Sequence, residues 1–345
     1  MKALEHRASL DIEGTEILLA STYSVDIDLL QPADAFSLAV PLDARTVSLI
    51  PLDAAFVFRI DDQVLARGFV DRLQETRDNQ LVVSGRCRTG RLVDESVDGA
   101  GFSLPRDTRL REAVTRIVGD WYPEVAYRAV DGATTMPHRV KCAAGMSRME
   151  ALDRVLEPLR LMSWPADQRL VIGRPDYRQA PAFAFVYSPK VSTCLSMERV
   201  RSSANRFATY EVGSAASAGN RHGLVEDKSG DLRHPKRLYV PRERDSDLSA
   251  TAQAQRIKAQ ADASGYELAV ELAGHGEMRT GDARPTLYQP DLVARCVRQV
   301  RASAADDALV TLYDLPAYIT RATYTASSGG ARTALSLVPL DTELV

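Results

Sequence analysis

Cysteine and aromatic residues are scarce in this 345-residue sequence, and both shortages exclude classes of protein. The four cysteines are far apart and form no C-x-x-C pair, which favours reduced, buried thiols over a disulfide framework or a zinc site. Aromatic residues make up 6% of the chain. That is fewer than expected of a β-protein that binds carbohydrate or a receptor through exposed rings. The cysteines are Cys87, Cys142, Cys194 and Cys296.

An excess of charge of one sign is also missing. The sequence has 43 Lys and Arg against 46 Asp and Glu, a formal net charge of -3. This near balance disfavours a dedicated nucleic-acid binder, although it allows a local basic patch. Residues 1–7 lack the apolar segment of a signal peptide, and no apolar run approaches the length of a membrane span. We therefore expect a globular protein that is made and folded in the cytoplasm and reaches any other location within an assembly.

Sequence motifs of common enzymes are absent. There is no Walker loop, G-x-G-x-x-G, G-x-S-x-G or H-E-x-x-H pattern. His222 and His234 lie twelve residues apart in a polar segment, but no further ligand is suitably spaced for a metal, so we expect loop histidines. The pattern predicts no catalytic, cofactor-binding or metal-binding residues.

Three other polar groups have a structural and a functional interpretation. His275 and Glu277 could form an acid/base pair, but the surrounding glycines favour a turn between strands. The basic segment 231–244 could contact a phosphate backbone or an acidic protein surface, but a solvated loop is favoured, with a protein-contact arm next. Two pairs of adjacent carboxylates lie at strand ends, where turn acids are expected. They are Asp61 with Asp62, and Asp306 with Asp307.

The pattern that is present is mainly β. Alternating apolar and polar residues before position 90 predict a small antiparallel barrel or sandwich, with a hairpin at Gly14. From residue 182 the alternation returns and predicts a second all-β region. It is interrupted by a long polar loop at 214–247 and an Ala-rich helix at 248–264, which Gly265 would cap. We predict a closing hairpin whose turn is residues 326–330.

Residues 91–175 predict an α+β insert. One helix is expected at 105–118, capped by Asp107 or Thr108, and a second at 147–159, with Ser147 and Glu150 as a capping box. A strand, a turn and a strand follow at 161–173. Each helix has an apolar face at helical spacing. The faces are Leu110, Val114, Ile117 and Val118 in the first helix, and Met149, Leu152, Val155 and Leu156 in the second.

The predicted fold is therefore mainly β with an α+β insert. We expect a first β-barrel domain at 1–90, an α+β domain at 91–175 and a second, similar β-barrel domain at 176–345.

One stretch of the N-terminal region carries a family resemblance. G-F-V-D ends a strand at 68–71, S-G-R ends the next strand at 84–86, and R-L-V-D-E-S follows at 91–96. This order resembles the N-terminal signature of the tail hub proteins of contractile-tailed bacteriophages. In that family the strands end in G-x-[ILV]-[DE] and G-R-[ST], and D-L-[VI]-D-x-S leads into the next domain. Cys87 stands where a small hydroxyl residue is usual, and Arg91 where the first Asp is common.

The C-terminal region is similar to the same family. The helix at 249–263, the strand at 268–272 and the closing hairpin at 319–337 follow the family's order. The family's W-x-P-G is Y-Q-P-D at 288–291. The closest likeness is to the tail hubs of phage Mu and Mu-like prophages.

The resemblance implies an assembly role. Such hubs are homotrimers in which each chain contributes two similar barrels, so that the ring has pseudo-sixfold symmetry. It would join the sixfold tail tube and other baseplate proteins to a trimeric central spike. DNA would be only transient cargo in the channel, and a near-neutral chain fits such a conduit. The implied location is the virion tail baseplate, assembled in the host cytoplasm without stable membrane association.

The resemblance also gives the signature residues a structural interpretation. Gly68 and Gly85 are expected to serve the backbone, while Asp71, Asp94 and Glu95 are expected to be turn or interface groups. Two alternatives stay open for the function. One is a tail-associated enzyme that degrades the cell wall; the other is the hub of a related injection system, a tailocin or a secretion system.

Overall fold

The computed structural model describes residues 6–18, 22–42, 50–97, 101–166, 169–213, 222–227, 236–241, 249–277, 285–303 and 306–340. We call residues 6–87 the N-terminal part, 88–173 the middle part and 174–340 the C-terminal part. No helix within these ranges is long and apolar enough to cross a membrane.

The N-terminal part is a row of antiparallel strands. Apolar side chains alternate along each strand, so that one face of the row is buried. The spatial order is β3-β4-β7-β6-β5-β1-β2. The strands are β1 (Ala8–Ile12), β2 (Thr15–Leu18), β3 (Tyr23–Asp28), β4 (Ala35–Pro41), β5 (Ala55–Ile60), β6 (Gln63–Glu75) and β7 (Gln80–Cys87).

The middle part has its own apolar core beneath short helices and two small sheets. Both apolar helix faces predicted from the sequence are buried. The helices are α1 (Thr89–Asp94), α2 (Leu110–Val118) and α3 (Arg148–Leu156), with 3-10 turns at Gly119–Trp121 and Glu157–Leu159. The strands are β8 (Phe102–Leu104), β9 (Val125–Arg128), β10 (Val140–Cys142), β11 (Met162–Ala166) and β12 (Arg169–Gly173).

The two predicted helix caps differ in outcome. At α3 the capping box is confirmed, because the Ser147 side chain accepts from the Glu150 backbone N–H and the Glu150 carboxylate accepts from the Ser147 N–H. At α2 the prediction is wrong. The helix begins at Leu110 after an Arg109 cap with no side-chain hydrogen bond. The Thr108 hydroxyl instead donates to the Pro105 carbonyl.

The C-terminal part contains a second row, in the order β13-β21-β22-β23-β18-β14. Its first and last strands are consecutive in the chain, and the Thr193 N–H donates back to the Val186 carbonyl, which brings the two ends of the row together. The strands of the row are β13 (Phe183–Tyr187), β14 (Ser196–Arg201), β18 (Tyr266–Ala273), β21 (Val293–Ser303), β22 (Asp306–Ser327) and β23 (Gly330–Pro339). The hairpin predicted between the last two strands is confirmed.

A small sheet and a helix are attached to this row. The sheet contains β15 (Thr209–Gly213), β16 (Gly223–Glu226) and β17 (Arg237–Pro241), and α4 (Ala250–Gly265) packs on it. The short strands β19 (Gly276–Glu277) and β20 (Thr286–Leu287) pair nearby.

Two expectations for this region need correction. The predicted loop at 214–247 contains two strands, and most of its other residues lie outside those the structure describes. Gly265 is the last residue of α4 rather than a cap beyond it.

Strand β22 joins the two rows into one thirteen-stranded sheet. Its residues Arg321 to Ala326 pair with β3. The Nε and Nη2 of Arg321 donate to the two carboxylate oxygens of Asp26 at 2.8 and 2.5 Å. One apolar core runs through both rows. The prediction of a mainly β fold with an α+β insert is confirmed, while the domain boundaries stay a prediction.

Candidate functional site

The two glycines of the N-terminal signature lie where β6 and β7 approach each other closely. A Cβ atom on Gly68 would lie 1.8 Å from the Arg86 carbonyl oxygen, and one on Gly85 would lie 2.2 Å from the Phe69 carbonyl oxygen. The register of the pair shifts between Val70 and Arg72. Both glycines therefore allow two backbones to touch beside a β-bulge.

The charged residues of the signature connect the strands to the middle part. The Arg86 Nε donates to Asp71 at 2.7 Å, and its Nη2 donates to Asp94 of α1 at 2.6 Å. These bonds raise the pKa of Arg86, and the guanidinium holds the pKa of Asp94 below its usual value. Glu95 continues the chain of contacts by pairing with Arg148 of α3 at 2.8 Å.

Arg91, which departs from the family pattern, has a contact of its own. Its guanidinium carbon lies 4.4 Å from the centroid of the Phe69 ring and 5.6 Å from that of Trp121. This cation–π contact adds a further link between β6 and the middle part. We call residues 68–71, 85–86 and 91–95 the signature seam.

A second polar cluster lies in the core between the two rows, around His275. The Thr333 hydroxyl donates to the Gly274 carbonyl at 2.8 Å, so its oxygen accepts from His275 Nδ1–H at 3.0 Å. The other ring nitrogen, Nε2, is therefore an acceptor, and the Tyr23 hydroxyl donates to it at 2.8 Å. His275 is fully buried and neutral, and burial lowers its pKa to about 3.

His6 extends this cluster to the opposite row. Its Nε2 accepts the backbone N–H of His275 at 2.9 Å, so Nδ1–H donates to Asp61 at 2.6 Å. The other oxygen of Asp61 accepts the Arg7 N–H at 2.9 Å. The sequence predicted turns at Asp61 and His275, and the turns are present, but it gave no sign that they meet. The members lie up to 269 positions apart.

The Y-Q-P-D sequence forms a third junction. Asp291 accepts from Arg128 of the middle part and from the Tyr318 hydroxyl. Its φ of 69° is in the left-handed region. That conformation favours glycine, the residue that the family pattern has at this position.

The remaining polar candidates are engaged locally or lie outside the described residues. His222 contacts Glu211 at 2.6 Å, whose pKa it lowers, and Asp307 pairs with Arg301 at 3.5 Å. His234 and most of the basic segment 231–244 lie outside the described ranges. Within those ranges, no group of three or more His, Cys, Asp or Glu could hold a metal ion.

The four cysteines are free and buried. Burial raises the pKa of Cys87 and of Cys296 to about 12, and that of Cys194 to about 11. Since the thiolate is the nucleophilic form of cysteine, these thiols are unsuited to covalent catalysis.

One surface feature was not predicted. Beyond the pairing with β13 and β23, the ends of β21 and β22 form a two-stranded ribbon at 299–303 and 306–312, which we call the ribbon. Val310 and Leu312 on it are 47% and 56% exposed. The register shift near Gln299 leaves Leu312 without a partner across the ribbon. An isolated two-stranded ribbon is marginally stable in water, and exposed apolar residues on it suit a protein contact.

The described geometry is that of a mostly β protein whose parts are joined by hydrogen bonds and ion pairs, which are buried around His275 and partly exposed at the signature seam. Solved structures with this fold include phage tail proteins. A tail protein from Neisseria meningitidis MC58 is 20% identical with a TM-score of 0.77, and the match covers 97% of this chain and 96% of that one. The 43 kDa tail protein of prophage MuSo2 from Shewanella oneidensis is 17% identical with a TM-score of 0.81, covering 98% of this chain and all of that one.

A more distant match extends the comparison to secretion systems. The E. coli c3393 protein, a type VI secretion component described as similar to the T4 tail proteins gp27 and gp5, is 10% identical with a TM-score of 0.53. The match covers 96% of this chain and 76% of that one. No family model and no curated protein sequence matches the chain. The resemblance to phage tail proteins expected from the sequence is confirmed for the fold.

Proposed function

We propose that this chain is a structural hub of a contractile phage tail baseplate. Three copies would form a ring that adapts the sixfold tail tube to a threefold central spike. The observation that carries the proposal is the likeness to two tail proteins over 97% and 98% of the chain. Because it spans nearly the whole length of both proteins, it concerns the complete architecture rather than one common domain.

The ribbon supports a subunit interface. Its exposed Val310 and Leu312 would be covered in a ring, and a neighbouring copy offers both apolar surface and strand edges. The seams support the same role. Ion pairs and buried hydrogen bonds hold the three parts of the chain together, as a component that transmits force requires.

The chemistry of the described residues supports a role without catalysis. His275 is buried and neutral, and the cysteine thiols are buried. A nearly neutral chain suits a channel through which DNA must pass without tight binding. The chain would act in the virion tail, with a spike protein and tail tube proteins as partners.

A second candidate is the hub of a related injection system, such as a tailocin or a secretion system. It is favoured by the likeness to the type VI component from E. coli. The two candidates share the ring and the spike and differ in whether DNA passes.

The experiment that tests the proposal is light scattering on the purified chain at micromolar concentration, alone and co-expressed with a spike protein encoded beside it. We expect a trimer, either alone or with the spike. Electron microscopy of that species should show a ring with threefold symmetry. A chain that stays monomeric in both conditions and hydrolyses cell-wall glycan would overturn the proposal in favour of the enzyme.

A further inference from the structure

A cavity of about 320 Å³ lies where the three parts of the chain meet. The N-terminal part contributes Asp34 and Arg67, and the middle part contributes Arg88, Arg128 and Trp164. The C-terminal part adds residues 289–292. The cavity is therefore lined by segments that are distant in the sequence and meet only in the folded chain.

Four arginines line this cavity against two carboxylates. Two of the arginines are neutralised: Arg128 pairs with Asp291, and Arg169 pairs with Glu124 at 2.9 Å. The other two are Arg67 and Arg88. Within the described ranges, no carboxylate oxygen lies within ion-pair distance of either.

The second carboxylate does not balance these two charges. Asp34 is 6% exposed, and its Oδ1 accepts the backbone N–H of Asp28 at 3.2 Å. Burial and the neighbouring charges of Asp26 and Asp28 raise its pKa to about 7. Asp34 is therefore only partly ionised near neutral pH, and the cavity carries a net positive charge.

Two hydrogen-bond donors beside the cavity lack acceptors. The Nε of Arg67 and the Nε1 of Trp164 are buried without a hydrogen bond, and Trp164 as a whole is 2% exposed. The pKa of Arg67 is lowered by burial and by the like charges of Arg59 and Arg88. A buried donor without an acceptor is unfavourable. An anion in the cavity would accept from these donors and would offset the like charges of Arg67 and Arg88.

We propose that this cavity binds a small tetrahedral oxyanion, of the phosphate or sulfate class, with Arg67 and Arg88 as its charged ligands. The planar guanidinium group donates parallel hydrogen bonds to two oxygens of such an anion, which a lysine ammonium cannot do. Since the cavity exists only in the folded chain, a bound anion would stabilise the junction of the three parts. The site goes beyond the proposed hub function and does not depend on it.

The test uses the full chain with sodium sulfate and with inorganic phosphate as probes, against sodium chloride at equal ionic strength. Calorimetric titration should show saturable binding of either oxyanion and none of chloride. In Arg67→Gln and Arg88→Gln, we expect the affinity to fall by roughly tenfold or more, since a hydrogen bond to a charged group is lost. The matched control is Arg106→Gln, because Arg106 is 75% exposed and lies away from the cavity.

Two further results keep the proposal falsifiable. If the glutamine variants unfold, Arg67→Lys retains the charge without the planar fork and should still weaken sulfate binding. Equal sulfate affinity in the wild type, in Arg67→Lys and in Arg106→Gln would overturn the proposal, as would an absence of saturable binding to the wild type. Displacement of the sulfate by duplex DNA would place the anion on the outer surface and would also overturn it.

Discussion

The two halves of strand β22 lie in opposite environments. Its C-terminal half is enclosed between β3 and β23, and Ala322 and Tyr324 there are fully buried. Its N-terminal half, in the ribbon, pairs only with β21 among the described strands and exposes Val310 and Leu312. The C-terminal half has a neighbouring strand of the same chain on each side, whereas the N-terminal half exposes apolar side chains to solvent. This difference separates the residues that fold the chain from those that we expect to assemble it.

The largest effect is expected within the enclosed half. The Tyr324 ring is fully buried and its hydroxyl donates to the Tyr288 carbonyl. Tyr324→Ala should lower the free energy of unfolding by about 3–5 kcal/mol, because it leaves a cavity in the shared core. Denaturant unfolding measures this loss. The control is Tyr324→Phe, which keeps the ring and should cost about 1 kcal/mol; equal losses in the two variants would contradict the role of packing.

The buried His275 cluster should make stability depend on pH. The folded pKa of His275 is about 3, against an ordinary value of 6.5. The unfolded chain therefore binds the proton more readily, so the contribution of His275 to the free energy of unfolding should fall as pH decreases from 6.5 toward 3 and be level above 6.5. Each unit of pKa difference corresponds to about 1.4 kcal/mol, so a loss of a few kcal/mol is expected.

Asp34 should act in the opposite direction and must be separated from His275. Its folded pKa is about 7, against an ordinary value of 3.8. Its contribution to stability is therefore complete below 3.8 and is lost as pH rises toward 7. Unfolding curves of the wild type, His275→Gln and Asp34→Asn between pH 4 and 8 should resolve the two. A steeper loss of stability in acid for His275→Gln than for the wild type would refute the assignment.

A smaller loss is expected at the signature seam. Gly68→Ala places a Cβ atom 1.8 Å from the Arg86 carbonyl oxygen, so one strand must move. We expect a loss of about 1–3 kcal/mol, the usual cost of overpacking. The matched control is Gly329→Ala, where the nearest atom to the new Cβ would be the Ser327 Oγ at 3.5 Å. In thermal unfolding, the stability of Gly329→Ala should be close to that of the wild type. A similar loss of stability in both variants would show that the close contact of the strands at Gly68 does not make this position sensitive to a Cβ atom.

The elements that form the buried core were largely predictable from the sequence. Alternating strands, the apolar faces of two helices and the capping box at Ser147 follow from local periodicity and local hydrogen bonds. The family resemblance assigned the glycines of the signature to a backbone role. Their geometry gives the reason, since neither position has room for a Cβ atom.

The contacts that could not be predicted from the sequence are those that depend on which strands lie next to each other in the fold. The link between His6, Asp61 and His275 joins residues whose local sequences indicate only turns. The ribbon was missed for a related reason. Its alternation of residues is that of any half-buried strand, and only the end of the β23 pairing at Ala317 shows that one edge is left over. The failed cap at α2 has the same kind of cause, because the first backbone N–H groups of the helix, at Leu110 and Arg111, donate to the distant carbonyls of Thr134 and Gly132.

The smallest effect on stability, with a large one on assembly, is expected in the ribbon. Val310 is 47% exposed and pairs across the ribbon with Val300, while its neighbour Thr311 lies on the opposite face. Val310→Lys should change the free energy of unfolding by no more than about 0.5 kcal/mol, as exposed substitutions do. If the ribbon is covered by a second copy, the same variant should weaken trimer formation by roughly tenfold or more, because a charge enters an apolar contact. Thr311→Lys adds the same charge one residue away, and light scattering of the two variants compares the faces. Equal assembly of both variants would show that the exposed face of the ribbon is not the subunit contact, whereas a selective loss in Val310→Lys would assign that face to assembly.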